Sequence, residues 1–167
     1  MSIITLQQFE MLLPFACAWA EEQERAIVQS GVALSEWQLA DARRVGVAQP
    51  ERVRLLRVVQ IPGPTDPALA AATGATNLIT PLSRGLTLRY RIFVRADCWE
   101  QRPLVVHELV HTSQYERLGG FDGFLRPYLL ECITHRVIRT GRWSRRLLPR
   151  QRDCAPNKAL QRTGAMR

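Results

Sequence analysis

Three side chains in one short stretch carry most of the chemistry open to this sequence: His107, Glu108 and His111. They form an H-E-x-x-H pattern inside the run Pro103 to Gly120, where Leu104, His107, Glu108, His111, Tyr115 and Leu118 recur at three- and four-residue steps. That is the period of a helix. Pro103 suits a first helical position, where its missing N–H costs nothing, and Gly119-Gly120 supplies the stop. Imidazoles at i and i+4 then stand one turn apart on the same face and can share one ion. Zinc is the usual occupant of paired imidazoles, and it needs at least one further ligand. Glu108, about 100° round the helix from His107, flanks such an ion without binding it, the place of a general base for an attacking water.

The next segment offers the further ligand. After Leu118-Gly119-Gly120-Phe121-Asp122-Gly123 a second apolar run begins, through Phe124, Leu125, Tyr128, Leu129, Glu131, Cys132, Ile133, His135, Val137 and Ile138. Its length is helical, Asp122 is the expected N-cap, and Gly141 ends it. Pro127 is acceptable only in the opening turn, so the start can fall later than Asp122. Glu131 is hemmed in by Leu130, Cys132 and Ile133. A carboxylate in such surroundings wants a partner, either a metal ion or one of Arg117 and Arg126. Cys132 falls on a different helix face and reads as core; as a fourth ligand it would instead imply a closed, structural zinc.

His107-Glu108-x-x-His111, followed twenty residues after the second histidine by Glu131, resembles the pattern of the thermolysin-like gluzincins, and also small bacterial H-E-x-x-H proteins and minimal gluzincin proteases. The resemblance implies an α+β, zincin-like fold: a small, twisted, mostly antiparallel sheet, an active-site helix and a following ligand-bearing helix. It implies zinc on His107, His111 and Glu131, with Glu108 as general base. Gluzincins often carry an Asp four residues after the glutamate ligand, where it orients the first histidine; this chain has His135 there. An imidazole can accept a ligand's N–H but lacks the charge that raises ligand basicity.

The elements that must position these residues come earlier. Thr5-x-x-Gln8 reads as a capping box opening a helix with the stripe Leu6, Phe9, Leu12, Leu13 and Ala16, kinked at Pro14 and closed at Gly31. Ser35-x-x-Gln38 opens a second helix towards Gly46. Neither holds an evident catalytic group, so they serve as scaffold or as a cover over the cleft. A strand through Val53 to Ile61 stops at Pro62-Gly63-Pro64, and Asp66-Pro67 starts a short helix that ends at Gly74. Leu86 to Arg95 reads as a single strand with Leu86, Leu88, Tyr90, Ile92 and Val94 on a buried face, and Thr87, Arg89, Arg91, Phe93 and Arg95 on a wet, basic one. By the resemblance it forms the rim of the cleft, pairing with an extended substrate.

At 167 residues the chain is one domain with room for a real core. We expect a domain over 1–148, divided into helical 1–48, strands and a short helix over 50–95, and metal-site helices over 100–141, with a disordered tail at 149–167. No apolar run reaches membrane-span length. Met11 to Ala20 is apolar, yet residues 1–10 hold no Lys or Arg, so a signal peptide is not expected. Cys17, Cys98, Cys132 and Cys154 show no C-x-x-C spacing, which points to reduced, cytoplasmic thiols. The net charge is +8, and all but Lys158 of the 23 basic residues are arginine. Seven of these lie in Arg136 to Arg152 with one aromatic, Trp143; that is a solvated basic face, and nucleic acid is not an expected partner.

The sequence reads as a zinc-dependent metallopeptidase acting on a peptide or protein substrate, with Tyr128 or His135 as the oxyanion donor. The alternative is a zinc-binding regulatory module with the same metal site and little or no activity.

Overall fold

The computed structural model describes residues 4–76 and 78–135, apart from the side chains of 28–29 and 131–135. The expected tail, the run Arg136 to Arg152 and the helix end at Gly141 lie outside the described residues. The chain folds as α+β in the order α1 (Leu6–Ser30), β1 (Val32–Ala33), α2 (Glu36–Arg44), β2 (Arg54–Val58), α3 (Pro67–Thr76), β3 (Gly85–Leu88), β4 (Arg91–Arg95), α4 (Arg102–Leu118) and α5 (Phe121–His135). Among the described residues four strands make one mixed sheet, ordered β1-β2-β4-β3. The outer pairs are antiparallel, and the central pair β2–β4 is parallel, with Leu55 beside Ile92. No helix among the described residues is long and apolar enough to cross a membrane.

Local sequence sets the helix ends. Thr5 and Gln8 form the capping box of α1, the Gln8 N–H donating to Thr5 Oγ1 at 3.2 Å and the Thr5 N–H to Gln8 Oε1 at 2.9 Å. Ser35 and Gln38 repeat it on α2. Each box satisfies backbone donors that a helix start leaves unpaired. The α1 helix runs unbroken through Pro14 and buries Phe9, Leu13, Ala20 and Ile27, while Leu6 faces out. Asp66 caps α3, accepting the Leu69 N–H at 2.8 Å, and α3 continues past Gly74 to Thr76.

The expected single strand from Leu86 to Arg95 is a hairpin. A two-residue turn at Arg89-Tyr90, with Arg89 at φ +57°, folds β3 back on β4 so that Leu88 faces Arg91 and Thr87 faces Ile92. Directly opposed residues share a face, so the turn inverts the alternation that an unbroken strand would keep. Thr87 therefore joins Ile92 and Val94, whereas Phe93 joins Leu86 and Leu88. Both faces are covered, contrary to the expected wet face: Thr87 and Phe93 are buried. Ile92 and Val94 pack with Val105 and Leu109 of α4, and Leu88 and Phe93 with Ala20 and Ile27 of α1.

The corner between α4 and α5 is tight. Gly119 and Gly120 both take left-handed backbone (φ +83° and +97°), where side-chain residues are strained, and the Gly120 N–H donates to the Tyr115 carbonyl at 3.0 Å. A Cβ at Gly123 would fall 1.7 Å from the Leu118 carbonyl oxygen. The α5 helix begins at Phe121, which places Pro127 inside it and not in its first turn. Burial of Phe121 and Phe124, worth roughly 1.5–3 kcal/mol each, offsets the ~3 kcal/mol that an internal proline costs.

Candidate metal centre

Three contacts fix α4 before any chemistry is considered. Asp41 of α2 takes two hydrogen bonds from the Arg102 guanidinium in the first turn of α4, both 2.8 Å. The Ser113 hydroxyl donates to the Gly46 carbonyl at 3.0 Å. Glu116 accepts the N–H groups of Ala48 and Gln49 at 2.7 and 3.0 Å. These bonds, with Val105 and Leu109 in the core, settle the rotation of α4 and so the direction of its open face. The α2 helix is scaffold in this sense.

That face presents His107 at the rim and His111 behind it, the rings edge-on with centroids 4.8 Å apart. Their Nε2 atoms are 3.2 Å apart. Two nitrogens bound tetrahedrally to one zinc at 2.0–2.1 Å lie about 3.3 Å from each other. The pair thus has the spacing of two ligands on one ion. Gln114, one turn on and buried, places Oε1 2.7 Å from His111 Nδ1. Its amide oxygen accepts the Nδ1–H, the tautomer that keeps the lone pair on Nε2, the atom beside His107 Nε2. Burial pushes the His107 imidazole below its usual range, and burial, then His107, pushes His111 down to about 4. Both rings are neutral near pH 7, the form that binds metal.

Glu108 points to the sheet side and is buried. The Thr87 hydroxyl of β3 lies 2.6 Å from Oε2 and 3.0 Å from the Glu108 carbonyl oxygen. A Cβ at Gly85 would stand 2.5 Å from Oε1, so only glycine leaves room for the carboxyl. Burial raises the Glu108 pKa to about 7, against the lowering effect of the Thr87 bond. A carboxyl poised there exchanges protons readily at neutral pH.

These residues border a cavity of about 230 Å³. Its walls are apolar: Phe9 and Leu13 of α1, Leu69 of α3, Leu86 of β3, and Leu125 and Tyr128 of α5. The α1 helix is therefore a wall of the cleft, one of the two roles expected for it. The Tyr128 ring sits edge-on to His111, centroids 6.2 Å apart, which places one of the two expected oxyanion donors beside the pair. The α5 helix carries Glu131 one turn after Tyr128. The side chains of Glu131, Cys132 and His135 lie outside the described residues. Among the described residues no group of three His, Cys, Asp or Glu side chains is placed to hold a metal ion.

Gln114 and Thr87 join the site without having been expected there. Gln114 stands three residues after His111, the spacing of facing side chains on a helix, so the signal was there. Thr87 lies on the face opposite to the expected one because the hairpin turn inverts the alternation. Compared with protein-family models, curated proteins and solved structures, the chain matches none.

Proposed function

We propose that this protein is a zinc-dependent peptidase. The observation that carries the reading is the 3.2 Å approach of the His107 and His111 Nε2 atoms beside the buried carboxyl of Glu108. His107, His111 and Glu131 would hold the ion. Arg126, one of the alternative partners considered for Glu131, is bonded to Glu10 at 2.6 and 2.7 Å, which supports the ligand role. When bound, zinc supplies Lewis acidity, polarising a carbonyl and acidifying water.

The chain's own residues do the rest. Glu108 takes a proton from the attacking water and returns it to the leaving amine, a task suited to a carboxyl near pKa 7. Among the described residues β3 pairs in the sheet only with β4, and its residues line the cavity. Its open edge gives an extended peptide a strand to pair with. Tyr128 is the donor for the developing oxyanion. A reducing, cytoplasmic setting suits the free thiols Cys17 and Cys98.

The test is Glu108→Gln in the zinc-loaded chain, assayed on a mixed peptide library. Zinc stoichiometry is expected to hold while turnover falls by roughly 10²–10⁴. Undiminished, chelator-sensitive cleavage in that variant rejects the mechanism. One observation favours the second reading, a zinc-binding module of little activity. His111 is oriented by a neutral amide, Gln114, which raises ligand basicity less than a carboxylate does. Full zinc loading with no cleavage across the library supports that reading.

A further inference from the structure

We infer that one end of the sheet is a binding site for a phosphate monoester, gripped by Arg54 and Arg91 and flanked by Arg52 and Arg89. Arg54 opens β2 and Arg91 opens β4, and the two are register partners across the central parallel pair. Paired residues of neighbouring strands share a face and stand about 4.8 Å apart, so the two side chains leave the sheet together. Both are half-buried. Backbone carbonyls pin one amino group of each. Arg54 Nη1 donates to the Glu51 and Val53 carbonyls, both at 2.8 Å, and Arg91 Nη1 donates to those of Arg52 and Tyr90. The Nη2 group of each makes no hydrogen bond among the described residues.

Charge and unmet donors select the occupant. The Arg52 guanidinium lies over the Tyr90 ring at 4.2 Å, and Arg89 is ion-paired to Glu24 of α1 at 3.1 Å. Among the described residues no ion pair is made by Arg52, Arg54 or Arg91. Nearby carboxylates are engaged elsewhere: Glu51 with Arg43 at 2.6 Å, and Glu116 with the N–H groups of Ala48 and Gln49. The Nε–H groups of Arg89 and Arg91 are buried without an acceptor, which buried donors normally have. Burial pushes the Arg91 guanidinium below its ordinary value; Glu24 opposes this, and Arg54, Arg52 and Arg89 add to it. A phosphate monoester brings roughly −1.5 to −2 charge and three strong acceptor oxygens. Paired guanidinium forks suit that tetrahedral group. A carboxylate or a phosphodiester, with one charge, would leave more of the cluster uncompensated. The inference depends neither on zinc nor on the peptidase reading.

In the experiment, inorganic phosphate and glycerol 3-phosphate are titrated into the full chain at constant ionic strength, set with chloride. Binding is read by calorimetry and by the thermal midpoint. Saturable binding is expected, weakened at least ~10-fold in Arg91→Met and in Arg54→Gln, the worth of a hydrogen bond to a charged group. Should Arg91→Met fail to fold, Arg54→Gln carries the test. Arg57→Gln, which alters an exposed arginine of the same strand, should change nothing. A second arm uses phosphatidylcholine vesicles with and without phosphatidic acid. Binding in solution assigns a free phosphorylated molecule; binding confined to phosphatidic acid vesicles, and lost in the same variants, assigns a lipid headgroup. Either upholds the site. No saturable response in either arm, or one that both variants keep, overturns it. So does a short Glu-rich peptide that binds as tightly as glycerol 3-phosphate, which would make the cluster a dock for an acidic protein segment.

Discussion

The hydroxyl of Thr87 stands 2.6 Å from Glu108 Oε2 and 3.0 Å from the carbonyl oxygen of the same residue. A hydroxyl can donate one hydrogen and accept another. With Glu108 ionised, Thr87 donates to the carboxylate. With Glu108 protonated, the carboxyl can donate to Thr87, which turns its own hydrogen to the carbonyl. One side chain so holds the carboxyl in both protonation states that the proposed general base would visit. Thr87→Val is expected to lower kcat by roughly 10–100-fold, the worth of a hydrogen bond to a charged group, with KM little changed. Thr87→Ser should recover most of it. Equal losses in Val and Ser variants would show a packing role only.

Gly85→Ala puts a methyl where Glu108 Oε1 now lies, 2.5 Å from the new carbon. The carboxyl must swing away, so turnover should fall as far as in Glu108→Gln while zinc content is kept. Elemental analysis beside the peptide assay checks both halves.

Gln114 fixes the His111 tautomer from 2.7 Å. Gln114→Leu should weaken zinc binding by roughly 10–100-fold, as loss of a ligand's orienting partner does elsewhere. Gln114→Glu should restore or tighten it. Competition with a chromophoric chelator measures this, and an unchanged affinity in the Leu variant would remove Gln114 from the site.

Asp41 gives a pH prediction. The bond from Arg102 holds the Asp41 carboxyl below its usual range, burial opposing, and its unfolded value is about 3.9. The folded value is the lower one. Its stabilisation is therefore complete above the unfolded value and is lost as pH falls through the folded value. The thermal midpoint of the native chain should drop more steeply between roughly pH 5 and 2 than that of Asp41→Asn. Parallel curves would mean the pair contributes nothing.

Gly123→Ala cannot keep the corner between α4 and α5, because the added carbon would sit 1.7 Å from the Leu118 carbonyl oxygen. A loss of at least ~1–3 kcal/mol is expected, and zinc affinity should fall with it, since α5 carries Glu131. Urea denaturation with and without zinc separates the two effects.

What the sequence made legible was local. Thr5 with Gln8, Ser35 with Gln38, and His107 with His111 are neighbours within one helical turn, so their spacing determines their geometry. The hairpin was not legible, because Arg89-Tyr90 lacks the Asn-Gly or Gly signals of such a turn, and Arg89 enters left-handed backbone regardless. Its ion pair with Glu24 at 3.1 Å and its stacking on Phe121 at 4.5 Å come from distant parts of the chain. Thr87 and Glu108 are 21 residues apart, and nothing in their spacing announces that they meet. Pro127 misled in the same way: tertiary packing of α5 overrode a local rule.

The hydrophobic seam of the N-terminal helix has a practical corollary. A chain shortened to begin at Leu34 would retain His107, Glu108 and His111, yet lose one wall of the cavity they border. Leu88 and Phe93, packed in one cluster with Ala20 and Ile27, would be stripped of that cover, and such a fragment should aggregate before it could be assayed. The α1 helix is as much a part of the candidate site as the two histidines.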